Sequence, residues 1–278
     1  MSNTSNSRLE GPFRAPRNAY QNAPGSIHND EVASKLGFRG GTVPGSVHMD
    51  QFVPMLVARH GLRWFEIGGL ALHFVQATVD NESVRAVVEP GDGHDRLTMF
   101  SKGGDLICTG TASFDGPDPR SEVAVRMAKH GEAAPENVRI VRAIPVGESH
   151  SGIPLRVSGE QLAASLERIT ERLPLYDEGV LPPSHIISLT HQVRPVVLAR
   201  TEASVGLFGA LEVQQLHGPL YADQDYVGRT KVLKRVESPK AEGIWYEVTV
   251  ADTSGRDVAT AIYMIRFMKG SSPLWAAA

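Results

Sequence analysis

The sequence predicts an α+β fold in which a helix followed by an antiparallel meander occurs twice. In the first half, the apolar spacing of "SVHMDQFVPMLVARHG" (residues 46–61) fits a helix, and four β-rich segments follow it. In the second half, a helical pattern starting at Ser158 again precedes long β-rich segments. The element order repeats although the residue identities do not. We therefore expect two helix-plus-antiparallel-sheet units that share one continuous sheet.

The composition indicates a globular protein with a sizeable core. The chain has 278 residues, of which 41% are hydrophobic and 21% charged, and its net charge is −3. No Lys/Arg-rich run occurs, so we expect no nucleic-acid partner. The N-terminus has no apolar signal region and no apolar run approaches the roughly 20 residues that span a bilayer, so we expect a cytoplasmic protein without a membrane partner. The one cysteine, Cys108, lies in a β-rich segment and is expected to be a buried, inert thiol.

The first predicted helix contains a proline. Pro54 would cost about 3 kcal/mol in a helix interior, so the helix either kinks there or begins just before it. Gly61 stands where the helix would stop. The four predicted strands that follow are "LALHFVQATVD", "SVRAVVEPGD", "RLTMFSKGG" and "DLICTGTASFDG", with a hairpin turn at "SKGGD".

The second half opens with a strong amphipathic pattern, "SGEQLAASLERITERL" (158–173), for which Ser158 is the predicted N-cap. A second helical pattern follows Pro182 and Pro183, and Pro195 limits it. The predicted strands are "GLFGALEVQQLHG", "DYVGRTKVLKRVES" and "IWYEVTVADTSGRDVATAIYMIRFM", the last being two strands around the turn "DTSGRD".

These patterns divide the chain into five regions. We expect a disordered arm, a first unit, a connector rich in Pro, Gly and charge, a second unit and a tail in which Trp275 is available for docking. Their predicted bounds are, in order, 1–10, 11–118, 119–145, 146–270 and 271–278.

One short segment points to a family. The stretch "GSIHNDEVASKLGFRGGTVPGSVHMDQF" (25–52) resembles the hydratase segment of the MaoC-like family, the (R)-specific enoyl-CoA hydratases and related dehydratases. The resemblance covers about 30 residues, and the rest of the chain agrees only in element order. It implies the hotdog architecture, a helix wrapped by a long antiparallel sheet, here present twice as a double hotdog. The matching residues are Ile27, His28, Ala33, Leu36, Gly37, Phe38, Gly40, Gly41, Val43 and Gly45.

The segment departs from the family pattern at two positions. The family's catalytic Asp lies five residues before the His, where this chain has Ala23. Pro44 replaces the His of the family's His-Gly-Met sequence. The Asp/His motif is therefore degenerate, which implies altered chemistry or loss of the hydratase reaction.

The resemblance implies a cofactor-independent lyase that adds or removes water, or another leaving group, β to a carbonyl. The substrate would be an acyl thioester such as an acyl-CoA, or a small free molecule. His28 would transfer the proton at the carbon α to the carbonyl, because imidazole titrates near neutrality. The Gly45 amide, at a helix start, would donate to the carbonyl oxygen as an enolate develops. Elimination and isomerisation fit the missing Asp, since neither needs an activated water.

Other residues near this segment are candidates for supporting roles. His48 lies one turn into the helix and is the second choice for acid or base. Asp30 and Tyr20 are candidates for orienting His28, and Tyr20 for supplying a phenol proton. Asn22 and Asp50 are further nearby candidates. Structural roles stay open beside these: a helix cap for His28, a core or surface imidazole for His48, and a turn glycine for Gly45.

Recognised cofactor and metal patterns are missing from the sequence. It has no HExxH, HxH or CxxC spacing and no nucleotide-binding glycine fingerprint, so we expect neither a metal nor a cofactor. Basic residues that could meet a CoA phosphate are present, although an ordinary exposed strand face explains most of them better. They are Arg39, Arg229, Lys231, Lys234 and Arg235.

Two alternative functions stay open. A hotdog thioesterase would need a carboxylate to direct water, for which Asp50 is the candidate. A non-catalytic partner subunit of a heteromeric dehydratase would explain the changes at Ala23 and Pro44. Both a homodimer and a hetero-oligomer with another hotdog chain are compatible with the sequence, because long edge strands favour pairing.

Overall fold

The computed structural model describes residues 7–167 and 169–275, and all its strands join one ten-stranded antiparallel sheet. The strands are β1 (Leu9–Glu10), β2 (Gly69–Phe74), β3 (Val84–Pro90), β4 (Asp95–Ser101), β5 (Leu106–Ser113), β6 (Ser149–Leu155), β7 (Gly206–Gln215), β8 (Tyr226–Glu237), β9 (Ala241–Ala251) and β10 (Asp257–Met268). The helices are α1 (Asp30–Lys35), α2 (Gly45–Asp50), α3 (Val53–His60), α4 (Trp64–Ile67), α5 (Glu122–Lys129), α6 (Gly159–Leu166), α7 (Pro174–Asp177), α8 (Pro183–His191) and α9 (Arg194–Val197).

The sheet order shows that the two halves of the chain are repeats. The order is β1-β3-β4-β5-β2-β7-β10-β9-β8-β6, so each half contributes five consecutive strands. The halves meet where β2 pairs with β7, from Gly69 opposite Gln214 to His73 opposite Ala210. In each half, the strand at this junction is the one that follows the central helix. The predicted α+β architecture of two units on one continuous sheet is therefore confirmed.

The central helices α2 and α8 begin in equivalent ways. The residue before the helix N-cap donates its N–H to a neighbouring segment in both halves: Val43 to the Thr78 carbonyl (2.9 Å), and Leu181 to the Leu220 carbonyl (2.8 Å). The N-cap is proline in both, at Pro44 and Pro182. The two helices pack against each other over one face of the sheet.

Pro54 begins a new helix rather than kinking one. The helix α2 ends at Asp50, and Pro54 is the second residue of α3, where a missing N–H breaks no intrahelical bond. The helix α3 ends at His60, and its C-cap is Gly61, whose φ of 72° is in the left-handed region that glycine adopts readily. Of the two alternatives for Pro54, the later helix start is correct.

Different helices pack on the two faces of the sheet. Along β2, Leu70 and Leu72 belong to the large core beneath the central helices, whereas Ala71 belongs to a smaller cluster on the opposite face. That opposite face is covered by α5, which places Val123 in the smaller cluster. The predicted connector 119–145 therefore contains a helix that packs on the sheet.

The arm and the tail differ from expectation within the described residues. Leu9 and Glu10 pair with Val88 and Val87 of β3. The end of the arm that was predicted to be disordered over residues 1–10 therefore forms a strand. In the tail predicted over 271–278, the Trp275 Nε1 donates to Glu242 Oε1 at 2.7 Å. Residues 1–6 and 276–278 lie outside the described residues. The helix predicted over 158–173 is also shorter, ending at Leu166.

None of the helices in the described part of the chain is long and apolar enough to cross a membrane.

Candidate functional site

The backbone of His28 is held between two neighbours just before α1. Asn29, not His28, is the N-cap of α1, and its side chain accepts from the N–H groups of the first turn. Asn18 Nδ2 donates to the His28 carbonyl at 2.8 Å, and the Asn18 N–H donates to Asp80 Oδ1 at 2.7 Å. A Cβ on Gly41 would lie 2.2 Å from the same carbonyl, so only glycine fits there. These contacts fix the position of the His28 backbone, from which the imidazole side chain extends.

The His28 ring presents one free nitrogen. Its Nδ1 donates to the Thr42 carbonyl at 2.6 Å, because a carbonyl can only accept. In the neutral ring, Nε2 therefore carries the lone pair, and it has no hydrogen-bond partner among the described residues. Burial lowers the pKa of His28 below its ordinary value, and the bond to Thr42 opposes part of that effect. The Tyr20 ring lies 5.6 Å away, centroid to centroid, at an angle of 40°.

His48 is a buried imidazole with both nitrogens occupied. It is only 2% exposed, its Nε2 lies 2.8 Å from Thr78 Oγ1, and its Nδ1 lies 3.4 Å from Gln51 Nε2. Burial lowers the pKa of His48 to about 4, so the ring is neutral at pH 7. His28 and His48 share no hydrogen bond. The segments around their partners Thr42 and Thr78 pair with each other, with Thr42 opposite Val79.

Gly45 has a packing reason to be glycine. A Cβ at this position would lie 2.6 Å from Phe74 Cζ and 2.8 Å from its Cε2, so the aromatic ring occupies the space of a side chain. The backbone is not in the left-handed region, which removes the turn-glycine explanation. The Gly45 N–H has no acceptor within the described residues. In the second unit the equivalent residue is Pro183, which has no N–H to offer.

Asp50 joins the two units. It is 1% exposed, and its Oδ1 accepts the N–H of Ser184, in the first turn of α8, at 2.9 Å. Its Oδ2 is buried and has no partner among the residues described. Burial raises the pKa of Asp50 to about 7, and the hydrogen bonds from Ser184 oppose this. Asp50 therefore faces α8 and does not orient either histidine.

The other predicted residues lie near His28 but do not bind its ring nitrogens. Asp30 is exposed, and its Oδ1 accepts the Gly41 N–H at 2.6 Å, which closes the loop after α1. Tyr20 is 50% exposed and contacts His28 through its ring. Asn22 is exposed. Position 23 holds alanine rather than the family's Asp, and the group that orients His28 is the Thr42 carbonyl.

The basic residues suggested for a CoA phosphate do not gather into one patch. Arg39 pairs with Glu82 at 2.8 Å, and Arg229 pairs with Asp257 at 2.9 Å. Arg235 is buried and donates to backbone carbonyls, as does Lys234, while Lys231 is exposed on β8.

Outside this segment, the metal-ligating side chains and the one cysteine were the remaining candidates for chemistry. Within residues 7–167 and 169–275, no group of three or more His, Cys, Asp and Glu could hold a metal ion. Cys108 is fully buried, and burial raises the pKa of its thiol far above the usual range, as expected for an inert residue.

Sequence reasoning missed three features of this site. The Thr42 carbonyl has no sequence signal, because every residue carries one. The bond between Asp50 and Ser184 joins residues 134 positions apart. The four-residue segments "VPGS" (43–46) and "LPPS" (181–184) are similar, and this similarity would have indicated that the two central helices are equivalent.

No family model matches this chain, and no curated protein matches it in sequence. Solved structures do match over nearly the full length. A MaoC domain protein dehydratase from Chloroflexus aurantiacus J-10-fl is 13% identical, with a TM-score of 0.62, and the match covers 95% of each chain. Rv0216 from Mycobacterium tuberculosis, described as having a double hotdog fold, is 13% identical with a TM-score of 0.58, covering 95% of this chain and 96% of that one. A MaoC-like dehydratase is 12% identical with a TM-score of 0.54, covering 96% and 99%.

These likenesses establish the fold. The chain is a double hotdog, as predicted, and its structural neighbours include MaoC-like dehydratases.

Proposed function

We propose that this chain is a cofactor-independent MaoC-like lyase that acts β to a carbonyl, with His28 as its acid and base. The observation that carries the proposal is the state of the His28 ring. Its Nδ1 proton is held by the Thr42 carbonyl, and its Nε2 is bare. A lowered pKa keeps the ring neutral at pH 7, which suits a base that must first accept a proton.

The reaction needs few groups. In the elimination direction, the proton on the carbon α to the carbonyl passes to His28 Nε2, and the electron pair moves onto the carbonyl oxygen. The N–H of Gly45 is an available donor for that oxygen as negative charge develops. When the enolate collapses, the C–O bond at the β carbon breaks, and the leaving hydroxide takes the proton back from His28 as water. The Thr42 carbonyl holds the imidazole in place.

Two of the matching structures support the reaction class, since both are dehydratases by name. The substrate proposed is an acyl thioester or a small free molecule with an equivalent carbonyl, and an acyl-CoA is the first one to test. Asp50 does not favour thioester hydrolysis, because it is buried and one of its oxygens already accepts from Ser184.

The test is turnover of 2-enoyl-CoA thioesters of several chain lengths by the purified chain, followed as loss of the conjugated thioester absorbance. We expect His28→Ala to lower the rate by about 100-fold or more, the usual scale of general acid–base catalysis. A matched control is His217→Ala, since the ring nitrogen of this histidine also binds a backbone carbonyl, that of Asp257 at 2.8 Å. Full activity of His28→Ala would refute the role of His28.

A second candidate is a non-catalytic partner subunit, and one observation favours it. The Phe74 ring lies against Gly45, on the helix start that the reaction would use. This candidate predicts no turnover by the chain alone and none by a Phe74→Ala variant, together with recovery of activity when a second hotdog chain is supplied. A stable assembly of this chain by itself that turns over substrate would exclude it.

A further inference from the structure

A group of cationic and imidazole side chains lies on the α5 side of the sheet, away from the central helices. We call it the cationic cluster: His73 on β2, Arg126 on α5, His130 just after α5, Lys234 on β8 and Arg266 on β10. All five side chains are half-buried. None of them takes part in the reaction proposed above.

The cluster has more positive charge than it can neutralise. It holds three permanent cations, and among the described carboxylates Glu122 is the one whose charge acts on His73. Both described side-chain bonds of Glu122 are made by Oε1, which accepts from Arg126 Nε at 2.6 Å and from Thr109 Oγ1 at 2.9 Å. Arg266 pairs with no carboxylate in the described part of the chain, and its side chain bonds only to His73 Nε2, at 3.3 Å. A half-buried guanidinium without an anion is unusual, because buried charges are normally paired.

The cluster also has hydrogen-bond donors without acceptors. Since His73 Nε2 accepts from Arg266, the proton of the neutral ring is on Nδ1, and that atom is buried without a partner among the described residues. The indole Nε1 of Trp245, which can only donate, is likewise buried and unpaired there. Nδ1 of His130, whose ring lies 5.8 Å from the Trp245 ring, is also buried and unpaired there, and it donates in the tautomer that carries its proton on Nδ1. Unpaired buried donors are costly, about 1–3 kcal/mol each.

The electrostatics agree with this geometry. Burial, followed by the charges of Arg126 and Arg266, lowers the pKa of His73 to about 4. Burial and then Arg266, Arg126 and Lys234 lower the pKa of His130 as well. The cluster therefore repels additional positive charge and would attract an anion.

We propose that the cationic cluster binds a phosphate-type oxyanion. Such an anion carries up to two negative charges and several acceptor oxygens, which matches a free guanidinium together with unpaired ring N–H groups. A carboxylate, with one charge and two oxygens, would leave more of these donors unpaired. The half-buried Arg126 and His130 give the site contact with solvent. This site stands independently of the proposed lyase activity.

The test is binding of inorganic phosphate and, separately, of adenosine 3′,5′-bisphosphate to the full chain at low ionic strength, by calorimetry. We expect saturable binding and a loss of affinity of about 10- to 100-fold in Arg266→Gln, because a hydrogen bond to a charged group is removed. The matched control is Arg229→Gln, a strand arginine that is paired with Asp257 and lies outside the cluster. It should bind like the unaltered chain.

One further variant and one further readout distinguish loss of binding from misfolding. Trp245→Phe removes one donor and keeps the aromatic ring, so a smaller loss of affinity is expected. Bound phosphate should also raise the pKa of His73 and His130, measured by NMR. Binding of phosphate alone supports a free-anion site, and binding of the bisphosphate alone supports a site for a larger phosphate ester. Binding of neither, or equal affinity in Arg266→Gln and Arg229→Gln, would overturn the proposal.

Discussion

Replacing Asp50 with Asn should change how the stability of this protein depends on pH. Asp50 is buried between the two units, and its pKa is raised from 3.8 to about 7. In the unfolded chain the carboxyl ionises near its ordinary value, whereas in the folded chain it keeps its proton until about pH 7. Between these values the folded state holds one more proton than the unfolded state, so the free energy of unfolding falls as pH rises.

The size of the effect follows from the shift. A difference of about 3 pKa units, at about 1.4 kcal/mol per unit, corresponds to about 4 kcal/mol lost between pH 4 and pH 8. Asn resembles the protonated acid at every pH, and its side-chain oxygen can still accept the Ser184 N–H. We therefore expect Asp50→Asn and the unaltered chain to have similar stability near pH 4. By pH 8 the variant should be more stable by up to about 4 kcal/mol.

The measurement is urea unfolding at several pH values from 4 to 8, with Asp50→Asn, the unaltered chain and Asp92→Asn compared. The Asp92 side chain is fully exposed, so its variant should follow the unaltered chain throughout. Glu212 is also buried with a pKa raised to about 7, but it contributes equally to each chain and cancels in the difference. A difference between Asp50→Asn and the unaltered chain that stays constant from pH 5 to 8 would refute the reasoning.

Two further predictions concern buried contacts. Gly45→Ala should destabilise the fold by about 1–3 kcal/mol, because its methyl group would lie 2.6 Å from Phe74 Cζ, and Phe74→Leu in the same chain should restore part of the loss in thermal unfolding. Equal stability of Gly45→Ala and the unaltered chain would contradict this. Cys108 should react with an aromatic disulfide reagent only after denaturant is added, since it is fully buried with a raised pKa; rapid labelling in native buffer would disprove its burial.

Local sequence pattern predicted the longest elements well. The strands β7 to β10 and the helix α8 have long apolar patterns of their own, and each forms where it was predicted. The strand β1 has two residues, too few for any pattern, and depends on pairing with Val88 and Val87. The sequence did not predict the helix α5, because the surrounding Pro and Gly residues suggested a connector. Serine is nevertheless a favoured N-cap residue, and the Ser121 side chain does cap α5.

The site depends more on tertiary structure than the elements do. The sequence singled out His28 and Gly45 as candidates, but it gave no indication that the Thr42 carbonyl holds the imidazole or that the Phe74 ring packs against Gly45. It also could not assign the roles of His48 and Asp50, since both contacts cross from one element to another distant one. Patterns report which residues are near in the chain, whereas these roles are set by residues that meet only after folding.

The lyase mechanism proposed above can operate in only one of the two units of this chain, because Pro183 stands at the position equivalent to Gly45. Gly45 and Pro183 occupy equivalent positions in the duplicated helices, yet only Gly45 carries an amide hydrogen. The two halves are therefore similar in shape but unequal in chemistry. A tight inhibitor shaped like the enolate would titrate the protein at one equivalent per polypeptide, despite its twofold architecture.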